Sequence, residues 1–125
     1  MTDSLLDIQY DWEESNKDIF DLEKYRKTGS VDYVMHCSTP LEAACFTSYL
    51  CQHYRSWASG DSYAADNKFK YYESRTCYAF NRGQYSPIEY YQNKNQPPYG
   101  DYCTYIILEF SDFDWEGSVE NGWIV

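Results

Sequence analysis

A chain of 125 residues has the size of one domain and can bury roughly two thirds of its unfolded surface. Twenty acids against ten bases give a net charge of −10, which argues against direct binding to nucleic acid or anionic lipid, whose phosphates repel it. Leu, Ile, Val and Phe together supply only 22 residues, but fifteen Tyr and four Trp replace the missing aliphatic core if their polar tips find partners.

The charge excess lies at the two ends. Residues 1–27 carry eight acids against four bases, residues 101–125 carry six acids and no base, and the stretch between balances six with six. From Leu5 to Arg26, Leu5, Ile8, Trp12, Ser15, Ile19 and Leu22 recur at helical spacing, predicting an acidic N-terminal helix within residues 1–27. Asp7, Asp11, Glu14, Asp18 and Asp21 keep the same spacing one position away, a ladder of carboxylates about 5 Å apart along the axis. The plainer reading is a solvated helix face, with Glu13–Lys17 and Glu23–Lys27 as i,i+4 pairs.

Gly29 stops this segment. Val31 to Cys37 predicts a strand, and Thr39-Pro40-Leu41-Glu42 is an N-cap, N1 proline and capping-box sequence for a helix to about Arg55, packed through Ala43, Phe46, Leu50 and Tyr54. Trp57 to Asn67 predicts a turn and exposed loop. Phe69–Glu73 and Thr76–Asn81 predict strands paired across Ser74-Arg75, with the next tight connection at Asn81-Arg82-Gly83-Gln84, where Gly83 tolerates positive φ. Ile88 to Asn93 is of open type, and Lys94 to Gly100, containing Pro97-Pro98, is loop. Tyr102 to Phe110 is apolar on both faces and predicts a central strand under a helix.

The expected fold is α+β: one domain over residues 1–125, with an antiparallel sheet of four or five strands and one or two helices on a face. Residues 31–110 form its core and residues 111–125 an acidic C-terminal segment. No apolar run approaches the ~20 residues of a membrane span. Met1-Thr2-Asp3-Ser4 lacks the start of a signal peptide. Five cysteines without a CxxC pair fit free structural thiols, so a cytoplasmic protein is expected.

In the C-terminal segment, extended backbone would put Asp112, Asp114 and Glu116 on one face at about 6.7 Å intervals and Phe113 and Trp115 on the other. Such acids can meet a row of Lys or Arg that normally holds phosphates. The same residues begin like a calcium loop, with Gly117 sixth, but Trp123 stands where the bidentate Glu belongs. His36-Cys37 and Cys51-Gln52-His53 lack the spacing of a structural zinc site. No nucleophile–base pair, HExxH, GxSxG or P-loop occurs, so neither metal nor cofactor is expected and the chain reads as a non-enzyme.

In size and composition the whole chain resembles the small acidic proteins that bacteriophages and mobile elements make against host defence. Some of these imitate DNA with carboxylates; others sequester signalling nucleotides or block a partner. The resemblance implies a protein of the host cytoplasm and carries no functional residue over.

The leading expectation is a non-enzymatic inhibitor or nucleic-acid mimic that docks on a basic groove of a nucleic-acid-handling protein, such as a host-defence nuclease. Asp7, Asp11, Glu14, Asp18, Asp112, Asp114 and Glu116 would supply charge complementarity, and Trp12, Phe113 and Trp115 would be the anchors. The alternative is a small-molecule module for a nucleotide-like ligand. Trp57, Tyr71 and Tyr90, with Tyr63, Tyr72, Tyr91, Tyr99 and Tyr102, would line an aromatic cleft while Arg55, Arg75 and Arg82 hold phosphates.

Overall fold

The computed structural model describes residues 17–95 and 103–115. The predicted helix up to residue 16, the Pro97-Pro98 loop, Tyr99, Tyr102 and the segment from Glu116 onward lie outside the described residues. In chain order the elements are β1 (Asp18–Ile19), a 3-10 turn at Leu22–Tyr25, β2 (Val31–His36), α1 (Pro40–Gln52), α2 (Phe69–Tyr72), β3 (Thr76–Ala79), β4 (Gln84–Pro87), α3 (Ile88–Lys94), β5 (Thr104–Glu109) and β6 (Phe113–Asp114). The fold is α+β. A four-stranded sheet runs β4-β3-β2-β5, and β1 pairs with β6 in a separate two-stranded ladder. Pairs β2–β3 and β3–β4 are antiparallel, while β2 and β5 run parallel from Val31↔Thr104 to His36↔Glu109.

The best local signal is realised at α1. Thr39 Oγ1 accepts from the Glu42 backbone N–H at 3.1 Å, and the Glu42 carboxylate reaches back one residue beyond the cap to accept from the Ser38 N–H at 2.8 Å. The helix ends at Gln52 rather than Arg55; Tyr54, expected on its packed stripe, stands in the left-handed region at φ 61° and is 96% exposed. Residues 69–72 form one helical turn instead of a strand, because Asp66 Oδ1 and Asn67 Oδ1 accept the Lys68 and Phe69 N–H groups at 2.9 and 3.1 Å and curl the chain there. The hairpin partner of β3 is therefore β4, across the Asn81-Arg82-Gly83 connection, where Gly83 has φ 64°.

Among the described residues β5 is an edge strand, not the central one, with Ile106 41% exposed. Its apolarity on both faces reflects two separate cores. On one face of the sheet Met35, Tyr78 and Phe80 pack with Ala43, Phe46, Tyr49 and Leu50 of α1, and Leu108 and Phe110 join them; on the other, Val34, Cys77, Ala79 and Tyr105 pack with Tyr91 of α3 and with Ile107.

Residues 17–27 are not helical, and the predicted stripe is out of phase: Ile19 is 55% exposed and Phe20 only 1%. Extended backbone at β1 alternates sides and turns Phe20 inward. There it stacks on Tyr25 and Trp115 at 5.2 and 5.1 Å and meets Phe46, Tyr49, Phe80 and Phe113 edge-on at 5.3 to 5.9 Å. The Tyr49 hydroxyl accepts from the Leu22 N–H at 3.2 Å and donates to the Phe20 carbonyl at 3.4 Å, tying this segment to α1.

A second fixed point is Asp32, wholly buried in β2. Its Oδ1 accepts from the Tyr33 N–H and from Asn81 Nδ2 at 2.8 and 2.9 Å, and its Oδ2 accepts from Arg82 Nε at 2.9 Å. Asn81 Nδ2 also donates to the Tyr25 carbonyl at 2.8 Å, so one carboxylate holds the β3–β4 connection against β2 beside the N-terminal turn.

Phe20→Ala is expected to lower unfolding free energy by about 3–5 kcal/mol, the usual cost of deleting a buried ring. Asp32→Ala, which removes one of the two acceptors of the Asn81 amide and leaves Arg82 without its counter-charge, is expected to lose about 3 kcal/mol. Urea denaturation followed by circular dichroism measures both, and a loss below about 1 kcal/mol at either site would contradict its structural role.

Candidate functional site

Two regions of the fold collect the residues singled out from the sequence. The first is the β1–β6 ladder, where Asp18 stands opposite Phe113 and Ile19 opposite Asp114 in parallel. Neighbouring strands lie about 4.8 Å apart, so the inner ends of the two acidic segments, at Lys17 and Trp115, belong to one local structure. Asp18 and Asp112 are exposed and Asp114 is half-buried.

Burial alternates as predicted over Asp112–Trp115, but Asp112 ends a 3-10 turn at Phe110–Asp112 and only Phe113–Asp114 are strand, and the aromatic side serves the protein itself. Phe113 and Trp115 are 9% and 7% exposed; Trp115 stacks on Phe110 at 4.4 Å and donates from Nε1 to the Phe110 carbonyl at 2.6 Å. These two rings are core residues and are not available as interface anchors. Asp7, Asp11, Trp12, Glu14 and Glu116 lie outside the described residues. Because residues 17–27 are extended and 3-10, Asp18 and Asp21 do not continue a helical ladder; Asp21 instead accepts from the Glu23 N–H at 3.1 Å as a cap. Glu23 pairs with Arg26, whose guanidinium hydrogen bond holds the Glu23 carboxyl below its ordinary range. All ten bases but only twelve of the twenty acids fall within the described residues. The body is therefore close to neutral, and most of the acid excess belongs to the segments that join it at Lys17 and Trp115.

The second region is a pocket of about 430 Å³ between the loop at residues 57–66, strand β4 and helix α3. Trp57, expected in a turn and among the cleft residues, is 7% exposed, lies 4.4 Å from the buried Tyr63 and 5.4 Å from Tyr85, and donates from Nε1 to the Asp66 carbonyl at 2.9 Å. Gly83 makes this docking possible. The Ala58 N–H donates to the Gly83 carbonyl at 2.9 Å, and a Cβ on Gly83 would lie 2.5 Å from Ala58 N and 2.8 Å from the Ser56 carbonyl. Burial pushes the Tyr63 phenol up to about 12, and its hydroxyl has no hydrogen-bond partner among the described residues. The Tyr78 hydroxyl, by contrast, donates to the Asn67 carbonyl at 2.8 Å.

Of the residues expected around an aromatic cleft, Trp57 and Tyr90 line the pocket. Tyr71 stands beyond its wall, 6.1 Å from Tyr85, and Tyr72 is 5.7 Å from Tyr85. Tyr91 is buried on the opposite core. None of the three arginines lines the pocket: Arg75 pairs with Glu89 at 3.6 Å, Arg82 is engaged by Asp32, and Arg55 sits after α1 with its N–H donating to the Leu50 carbonyl. Sequence reasoning missed Asp61, Lys68, Gln84 and Tyr85; Gly83 was the available signal, since a glycine at positive φ marks a close backbone approach as well as a turn.

Among the described residues no group of three His, Cys, Asp or Glu is placed to hold a metal ion. His36, set aside as a zinc ligand on spacing, has both ring nitrogens engaged at 2.7 Å, one by Glu109 and one by the Ser74 carbonyl. All five cysteines are free, with Cys37, Cys45 and Cys77 buried. Burial raises the Cys37 thiol and pushes Cys45 up to about 11 and Cys77 up to about 12, so these three are poor nucleophiles at neutral pH. No helix among the described residues is long and apolar enough to cross a membrane. Searches against protein-family models, curated proteins and solved structures found no match.

Gly83→Ala is expected to cost more than about 1 kcal/mol, because the strain of an alanine at this positive φ and the clash of its Cβ with Ala58 act together. It should also release the loop over the pocket. Hydrogen exchange of the 57–66 peptide measures this: protection should fall there while α1 stays protected, and unchanged protection would contradict the docking role of Gly83.

Proposed function

We propose that this chain is a non-enzymatic acidic binding protein, an inhibitor or nucleic-acid mimic, that presents its two terminal segments to a basic groove of a nucleic-acid-handling protein. A host-defence nuclease of the cytoplasm is the favoured kind of partner. The pairing of β1 with β6 is the observation that carries this reading, because it joins both acidic segments to the same small patch of the fold. Asp7, Asp11, Glu14, Asp18, Asp112, Asp114 and Glu116 are the carboxylates proposed for the contact. Trp12 remains a proposed aromatic anchor; Phe113 and Trp115 hold the patch together from inside instead.

Charge steers the encounter in this reading. Acids concentrated at one place raise the on-rate for a cationic partner, an effect of roughly 10-fold or more at low ionic strength that salt screens. A groove evolved for phosphates offers the matching row of Lys and Arg.

The test is competition. A nuclease isolated from host extract on the immobilised protein should be displaced by duplex DNA, and its association rate should fall about 10-fold between low and physiological salt. Combined Asp7→Asn, Asp11→Asn, Glu14→Gln, Asp18→Asn and Asp112→Asn should slow association by a similar factor with Tm unchanged. Association indifferent to salt and to these substitutions, or binding that DNA does not displace, would sink the reading.

A further inference from the structure

We infer that the pocket over Trp57 is a binding site for an uncharged planar nitrogen heterocycle, of the size and chemistry of a nucleoside. Its volume of about 430 Å³ falls within the range of sites that enclose small ligands. The site is separate from the acidic patch, and the inference does not rest on the function proposed above.

Three observations define the ligand. The walls are aromatic: Trp57, Tyr85 and Tyr90 all line the cavity, and Tyr90 is 44% exposed on α3, with Lys94 Nζ 5.4 Å from its ring centroid, a ring of the kind on which bases stack. The polar lining is made of edge-reading groups. Asp61 is exposed; its carbonyl accepts from the Trp57 N–H at 2.9 Å, while among the described residues its carboxylate accepts from the Ser59 hydroxyl alone, at 3.1 Å, and at 3.3 Å its own N–H donates back to that oxygen. Its carboxylate therefore keeps lone pairs for the N–H groups of a heterocycle, and Gln84, also lining the cavity and exposed, adds an amide that both donates and accepts.

The charge of the lining selects against phosphates. Asp61, Asp66 and Lys68 are its ionisable groups apart from the tyrosines, and Lys68 Nζ already lies 3.5 Å from Asp66, with Lys70 Nζ on the same carboxylate at 3.7 Å. The Lys68 backbone N–H holds the Asp66 carboxyl below its usual range, with both ammonium groups reinforcing it. The lining itself carries two carboxylates against one ammonium, a net −1, with Lys70 outside it. Since the arginines expected to hold phosphates are elsewhere, the pocket suits a base and sugar without a phosphate chain.

Isothermal titration of the full chain with adenosine, guanosine, cytidine and uridine, and with the four corresponding 5′-triphosphates, tests this. At least one nucleoside should bind with Kd below about 1 mM, more tightly than its own triphosphate. Tyr90→Ala, at an exposed position, should weaken that nucleoside about 10-fold or more, and Tyr90→Phe should restore it, as stacking requires. Asp61→Asn should weaken it while narrowing the gap to the triphosphate. The inference is overturned if no nucleoside binds in that range, if triphosphates bind more tightly than nucleosides, or if Tyr90→Ala binds like the wild type.

Discussion

Phe20 lies where the beginning of the described chain, its long helix and its C-terminal segment meet, and the ring is almost wholly buried among other rings. With so few aliphatic residues, the core on this face is held by large flat side chains whose edge-to-face and offset contacts are directional as well as apolar. Directionality has a structural consequence. Fixing Phe20 against Phe113 and Trp115 turns the aromatic side of the C-terminal segment inward, and Asp112 then faces solvent while the short β1–β6 ladder closes beside it. The same rings that stabilise the domain thus bring the described inner ends of the two acidic segments, at Lys17 and Trp115, side by side.

A second constraint acts through the connection between β3 and β4. Asp32 captures Asn81 and Arg82 from one side, and the adjacent Gly83 accepts the backbone of Ala58 from the other. A buried carboxylate is tolerated there because its oxygens accept from a backbone amide, a side-chain amide and a guanidinium. Arg82 also lies over the Tyr105 ring at 5.5 Å, which leaves it a structural cation rather than a ligand-binding one. The turn serves both the centre of the sheet and the floor of the pocket, so pocket shape depends on interactions that also hold the strands.

Charge is divided along the chain in a way the fold makes intelligible. Within the body, several bases are paired locally, as at Arg75–Glu89, Arg82–Asp32 and Lys68–Asp66, and ten bases stand against twelve acids among the described residues. The unbalanced acids belong mainly to the chain ends. An acidic patch for a basic macromolecule and an aromatic pocket for an uncharged ligand are therefore compatible proposals in one molecule, because neither draws on the residues of the other.

The cap at Thr39-Pro40-Leu41-Glu42, the strand at residues 31–36 and the turn at Gly83 were legible because each depends on neighbours a few residues away: a hydroxyl meeting an amide three positions on, alternation along one strand, a φ that glycine adopts freely. The α+β class followed from their order. Residues 17–27 were misread because helical spacing and extended alternation both fit so short a stretch, and only pairing with Phe113–Asp114, almost a whole chain length away, decides that Phe20 rather than Ile19 is buried. Arg82 could be read as a ligand group until Asp32 was beside it, and Trp57 as a loop residue until Gly83 allowed the loop to dock. Composition by itself determined that the core would be aromatic and the ends acidic. Which ring faces inward, which cation is already paired and where a cavity opens were decided by contacts between residues distant in the chain, since burial and charge pairing are properties of the packed molecule and not of local sequence.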